Sequence, residues 1–166
     1  CRESWTPASS LALGGAAWNT FSAVCWLTGR YIYDFFGGKV PIGLISTNWG
    51  GTPVQVWQPF QSVLECDARA SSGGVLYNSM VAPFSLGPMA LRGITWYQGE
   101  SNVNGAKYYA CAFPSMIKWW RQLFQDWLWF GFVQIAGYRY SAPYGNPPRP
   151  EVQHSRRAGD LRQAQL

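Results

Sequence analysis

The residues best suited to chemistry form the polar stretch Trp96–Asn102, which contains Gln98, Glu100 and Ser101. It follows the short apolar, β-branched run 93–95, which predicts a buried strand that ends in a polar turn. Ligands of open α/β sheets bind beyond the carboxyl ends of the strands. Because Gly99 lets the backbone turn sharply, the side chains of Gln98 and Glu100 can face one cavity. The stretch is therefore a candidate site, and a purely structural hydrogen-bonded turn is the alternative.

A second candidate is the stretch Asn48–Pro53, in which Gly50 and Gly51 precede a predicted helix. Thr52 is a good N-cap, and Pro53 suits the first helical position. Free amides at a helix N-terminus favour negative charge, which is the physical requirement of an oxyanion hole. The alternative is a Gly-Gly tight turn without a chemical role.

The elements that must position these residues alternate between helices and strands. Helical periodicity is predicted for 19–36, beginning at Asn19 or Thr20, and for a second helix that opens at Pro114. Buried strands are predicted for 40–46, 93–95 and 130–135, a short helix for 75–84 and a surface loop for 61–74. This alternation predicts an α/β fold with a parallel sheet covered on both faces.

Composition narrows the class of protein. The chain has 166 residues, of which 17% are aromatic and 13% charged, and this predicts an ordered core. The net charge of +5 is spread without a basic stripe, so we expect no nucleic-acid partner. No apolar run approaches the roughly 20 residues of a membrane helix, so we expect no membrane span.

The four cysteines, Cys1, Cys25, Cys66 and Cys111, show no C-x-x-C pairing, and we expect no zinc site. Their even number suits two disulfides in an oxidising compartment, with three connectivities open. Cys25 lies in a helical apolar stripe and is alternatively a buried thiol.

Several segments, in order, resemble the sialate O-acetylesterases, carbohydrate esterases of the SGNH hydrolase superfamily. They are Phe21–Leu27, Val40–Ile45, Asn48–Val54, Leu76–Met80, Trp96–Asn102 and Phe130–Gln134. The resemblance implies a three-layer α/β/α fold with a parallel sheet, incomplete at both ends. It implies a partial esterase domain over residues 1–140, followed by a divergent, disordered tail over 141–166.

The family hydrolyses O-acetyl esters of sialic acids with a serine nucleophile, a histidine base and no metal or other cofactor. By resemblance, the Gly51 N–H and the Gln98 side-chain amide would donate to the oxyanion. The residues expected to bind the acetylated sialic acid or sialoglycan are Asn48, Trp49, Gly50, Glu100 and Asn102. For Glu100, orienting the Gln98 amide, contacting substrate hydroxyls and satisfying loop amides all remain open.

Two family motifs have no counterpart here. The Gly-Gln-Ser-Asn motif of the nucleophile would lie upstream of Cys1, and the late Asp-x-x-His-type segment is missing. The remaining pairing, Ser101 with His154, lacks the nucleophile-elbow surroundings. We therefore expect this chain to be inactive alone, although it derives from a lysosomal or secreted esterase.

Two other functions compete with this interpretation. Trp49 and Trp96, beside the polar loops, could stack on sugar faces in a non-catalytic carbohydrate-binding fragment. The esterase from which the chain would derive could also act on another acetylated glycan, as acetylxylan esterases do.

Overall fold

The computed structural model describes residues 5–14, 20–86, 90–124 and 128–136. The chain divides into two compact units after Ile135, and the elements below belong to the first of them. The predicted tail over 141–166 lies outside the described residues, so the domain division stays a prediction.

Ten elements are described, in chain order. The α-helices are α1 (Ser10–Gly14), α2 (Ala23–Phe35), α3 (Phe60–Cys66) and α4 (Ala106–Leu123). The strands are β1 (Gly93–Trp96) and β2 (Trp129–Phe132). The 3₁₀ helices span Val54–Trp57, Ala82–Ser85 and Glu100–Gly105, and a π-helix spans Tyr77–Val81.

The sheet within the described residues has two parallel strands, and α4 connects them. Gly93 pairs with Trp129 and Trp96 pairs with Phe132. The Val133 N–H donates to the Trp96 carbonyl at 2.9 Å, which continues the pairing beyond β2. A parallel pair with a helical crossover confirms the α/β class. The three-layer arrangement and its incompleteness at both ends stay predictions.

The core packs around Trp96, the last residue of β1. Its ring meets Trp57 edge-on at 6.1 Å and Trp120 at 5.7 Å between centroids, and it stacks on Phe113 at 6.2 Å. Such aromatic pairs contribute about 0.5–1.5 kcal/mol each beyond the burial of their area. Because Trp96 is held on several sides, the backbone that leaves β1 at Tyr97 starts from a fixed position.

The second strong helix begins at Ala106, so the predicted start at Pro114 is wrong. The buried residues of α4 include Ala112 and Met116, which bracket the proline. Pro114 itself is exposed, so its ring lies on the outer side of the helix. Burial on both sides offsets the loss of one backbone hydrogen bond at the proline.

The predicted strand over 40–46 is also wrong, because the described residues give it no ladder partner. A backbone N–H and a side chain at the start of α2 hold the segment instead. The Ser22 N–H donates to Ser46 Oγ at 3.0 Å, and Cys25 Sγ donates to the Ile45 carbonyl at 3.6 Å. Ser22, rather than Asn19 or Thr20, caps α2 through its side chain.

The predicted surface loop over 61–74 contains α3, which a disulfide joins to α4. Cys66 and Cys111 form this bond, with their Cα atoms 5.8 Å apart. Cys25 is a free, half-buried thiol, and burial raises its pKa. Cys1 lies outside the described residues, so any second disulfide stays a prediction.

Candidate functional site

The site is built where the end of β1 meets the turn before the 3₁₀ helix Val54–Trp57. Gln98 Nε2 donates to the Thr52 carbonyl at 3.1 Å and to Asn102 Oδ1 at 2.7 Å. The Val54 N–H donates to the same Asn102 oxygen at 2.9 Å. The two candidate stretches of the sequence are therefore joined by direct hydrogen bonds.

The turn that carries Gly51 is closed by the side chain of Thr52. Thr52 Oγ1 donates to the Trp49 carbonyl at 2.7 Å and accepts from Trp57 Nε1 at 2.9 Å. Gly51 has a φ of 73°, in the left-handed region that favours glycine. Both Gly50 and Gly51 are exposed, and a Cβ atom at either would meet no atom within 4 Å. The backbone of this turn is therefore accessible to a ligand.

The sharp turn after β1 depends on Gly99, with a φ of 155°. Tyr109, on α4, supports this turn because its hydroxyl donates to the Gln98 carbonyl at 3.2 Å. The same hydroxyl accepts from Trp96 Nε1 at 3.4 Å. Burial raises the pKa of Tyr109, so its hydroxyl stays protonated and can serve as this donor.

The side chains predicted to bind substrate do not all converge. Asn102 is buried, with 7% exposure, within the hydrogen-bonded cluster. Trp49 is 64% exposed beside the turn, and Glu100 is exposed at the start of a 3₁₀ helix. Asn48 is exposed, and its Nδ2 donates to Ser46 Oγ at 2.6 Å.

A cavity of about 420 Å³ lies on the α4 side of the Gln98–Gly99 turn. Its walls are largely aromatic and aliphatic, and they include Tyr109, Phe113, Phe132 and Ile135. The cavity thus places an apolar volume next to the polar cluster. Such a combination is typical of small-molecule sites.

The pairing of Ser101 with His154 is left untested. Ser101 is exposed, and His154 lies outside the described residues. Within the part of the chain that the structure describes, no group of three or more His, Cys, Asp or Glu side chains could hold a metal ion. In the same part, no helix is long and apolar enough to cross a membrane.

Sequence reasoning missed the residues that hold the site together. Thr52 was predicted only as a cap, and neither Val54 nor Tyr109 was singled out. The hydrogen bonds of Gln98 to Thr52 and of Val54 to Asn102 span 46 and 48 residues, so no local pattern reveals them. The nearest local signal is the threonine after Gly-Gly, because threonine hydroxyls often close turns.

Comparison with known proteins assigns the sequence to a family. A family model described as carbohydrate esterase, sialic acid-specific acetylesterase, matches residues 29–160. No solved structure matches the chain.

The curated relatives are named sialate O-acetylesterases. The chain is 35% identical to the sialate O-acetylesterase of Rattus norvegicus over 194 residues, covering 87% of this chain and 35% of the relative. It is 37% identical to the Homo sapiens protein over 153 residues, covering 80% of this chain and 28% of the relative. The chain thus spans about a third of the length of these relatives. The resemblance drawn from the motifs is confirmed, and the chain belongs to the sialic acid-specific acetylesterase family of carbohydrate esterases.

Proposed function

We propose that this chain carries the oxyanion-binding part of an SGNH-type serine esterase that removes O-acetyl groups from sialic acids. The observation that carries the proposal is the hydrogen bond from Gln98 Nε2 to the Thr52 carbonyl. It brings the Gln98 amide to the exposed turn that contains Gly51. This contact supports a common site for the two proposed donors, which come from distant parts of the sequence.

In this proposal, a serine oxygen attacks the acetyl carbonyl, and negative charge develops on the carbonyl oxygen. The Gly51 N–H and Gln98 Nε2 donate to that oxygen. The longer of the two Gln98 hydrogen bonds, at 3.1 Å to Thr52, is the one that the oxyanion would replace. Removal of one preorganised oxyanion donor raises an acyl-transfer barrier by about 2.7–4 kcal/mol, and the bond given up to Thr52 lowers the net contribution of Gln98. The exposed Asn48, Trp49, Gly50 and Glu100 would contact the sugar.

The nucleophile and the histidine base are not assigned to any residue of this chain. We therefore expect the chain to be inactive alone, since an oxyanion hole without the nucleophile gives only a residual acceleration. The Cys66–Cys111 disulfide supports an oxidising setting, such as a lysosomal or secreted location.

The test combines turnover and binding on the folded 166-residue chain. Hydrolysis of an O-acetylated sialic acid is measured beside the Rattus norvegicus sialate O-acetylesterase, and we expect turnover only from the latter. Calorimetric titration then compares the O-acetylated sugar with its de-acetylated form. We expect a preference for the acetylated sugar that Gln98→Ala reduces. Equal affinity for both sugars would contradict an acetyl-recognising site, and saturable turnover would contradict the absence of a nucleophile.

A second candidate function, non-catalytic carbohydrate binding, is favoured by the 64% exposure of Trp49. An exposed indole beside polar side chains can stack on a sugar face. Under this function, Trp49→Ala would abolish binding of both sugars, whereas Gln98→Ala would change neither. Titration with an acetylated xylan in the same series would show whether the glycan is a sialic acid at all.

A further inference from the structure

The centre of the hydrogen-bonded cluster is Asn102 rather than either proposed oxyanion donor. Asn102 Oδ1 accepts from the Val54 N–H at 2.9 Å and from Gln98 Nε2 at 2.7 Å. Its Nδ2 donates to Gln55 Oε1 at 3.0 Å. With 7% exposure, this side chain offers little surface to a substrate.

The orientation of the side-chain amides of Asn102 and Gln98 follows from two backbone groups, the Val54 N–H and the Thr52 carbonyl. A backbone N–H can only donate, so the Asn102 atom that faces Val54 must be Oδ1. The Gln98 atom that meets the same oxygen must then be Nε2. The opposite atom, Gln98 Oε1, is buried and has no hydrogen-bond partner among the described residues. A buried acceptor without a partner is costly, so Gln98 would not keep this orientation unless its amide nitrogen were firmly held.

Asn102 also fixes the other side of the site. Val54 lies two residues after Thr52, separated from it by Pro53, so its bond to Asn102 anchors the segment that presents the Gly51 N–H. Gln98 Nε2 closes the arrangement by its bond to the Thr52 carbonyl. One buried side chain therefore holds both donor-bearing segments at a common point.

We propose that Asn102 is the positioning residue of the oxyanion site, setting the amide direction of Gln98 and its distance from Gly51 without contacting substrate. This inference rests on the proposed function, and it gives Asn102 a different role from the direct substrate contact expected from the sequence. Asn102 acts together with the Thr52 carbonyl, which can only accept, so that Nε2 rather than Oε1 of Gln98 faces the turn.

The test is nuclear magnetic resonance of the Gln98 side-chain amide in the full 166-residue chain. In Asn102→Leu, Gln98 loses its shorter hydrogen bond, and we expect its amide protons to exchange with solvent at least about tenfold faster. Asn102→Ala serves the same purpose with less crowding. Gln55→Leu is the matched control, because it removes a bond of Asn102 and leaves both bonds of Gln98 intact. Near-ultraviolet circular dichroism verifies that each variant is folded.

The conservative variant Asn102→Asp separates positioning from simple packing. Its carboxylate can still accept from Val54 and Gln98, so slow exchange of the Gln98 amide should be retained. The Gln98 Nε2 chemical shift should also titrate with pH as the new carboxyl is protonated. The proposal would be overturned if the Gln98 amide exchanged at an unchanged rate in folded Asn102→Leu or Asn102→Ala. It would also be overturned if the Gln98 chemical shift did not change with pH in Asn102→Asp.

Substrate is absent from these measurements, so they are independent of the proposed esterase function. If the Gln98 amide behaves as expected but the chain shows no preference for the acetylated sugar, the esterase function fails and the control of Gln98 by Asn102 stands. If the preference exists and Asn102→Leu leaves it unchanged, the positioning role fails.

Discussion

Ser115 Oγ donates a hydrogen bond of 2.5 Å to Glu65 Oε2, which ties α4 to α3 beside the disulfide. The other carboxylate oxygen accepts from Lys118 Nζ at 2.9 Å and from Trp119 Nε1 at 3.1 Å. The bond from Ser115, followed by that from Lys118, lowers the pKa of Glu65 from 4.5 to about 2. The carboxylate thus joins two helices through its charged form.

The stability of the chain should depend on the ionisation of Glu65. Because the folded-state pKa lies below the unfolded value, the contribution is present above about pH 4.5 and is lost as pH falls towards about 2. We expect Glu65→Gln to flatten the fall of the urea midpoint over this range. The control is Asp34→Asn, which removes an exposed pair with Arg30 and should cost less than about 0.5 kcal/mol. Parallel pH profiles of the native chain and Glu65→Gln would contradict the prediction.

Removal of the disulfide should destabilise the chain strongly. The bond joins residues 45 positions apart, and loop-closure arguments give about 2–4 kcal/mol for such a cross-link. We expect Cys66→Ser with Cys111→Ser to lower the thermal midpoint markedly. A reductant should likewise lower the thermal midpoint of the native chain, and it should leave the midpoint of the double variant unchanged. Cys25→Ser is the control, because that thiol is free, and an equal loss there would count against the disulfide as the cause.

Gly99→Ala should distort the turn that aims Gln98. The φ of 155° is strained for an alanine, and a Cβ atom would lie 2.6 Å from Ile135 Cδ1. We expect a loss of about 1–3 kcal/mol in the free energy of unfolding. Gly105→Ala is the matched control, since its φ is −120° and a Cβ atom there meets nothing within 4 Å. Equal stability of the two variants in urea titration would show that the Gly99 conformation is not required.

Gly51→Ala tests backbone strain without any steric contact. The φ of 73° costs a non-glycine residue about 1–2 kcal/mol, although the surrounding space is open. Gly50→Ala, in equally open space, should cost less. Urea unfolding of both variants measures the difference. If Gly51→Ala were as stable as Gly50→Ala, the turn would have to adjust easily, contrary to a fixed position for the Gly51 amide.

The sequence predicted the α/β class, the strand before Trp96 and the polar turn after it, because these depend on local periodicity. It failed where tertiary contacts decide the structure. The start of α4 was misplaced because Pro114 is a common first helical residue, whereas burial of Ala112 and Met116 carries the helix through it.

The buried polar network between α3 and α4 was missed for a similar reason. Gln58 Nε2 donates to Ser62 Oγ at 2.7 Å, and Ser62 Oγ lies 2.8 Å from Ser115 Oγ. Gln58, Ser62 and Glu65 stand at helical spacing, yet the stretch 61–74, which contains Ser62 and Glu65, was predicted as a surface loop. Polar residues at helical spacing can be recognised as the buried face of a helix only when their partners are known. Here the partner, Ser115, lies 53 residues after Ser62.

The covalent link between α3 and α4 also determines what a protease would release. Arg69 is exposed, three residues beyond Cys66 and inside the loop that the disulfide closes. A tryptic cut there would separate the Gly50–Thr52 turn from Gln98 in sequence but not in space. The disulfide would keep the two fragments together until a reductant separated them. The cleaved molecule could therefore keep both halves of its candidate site.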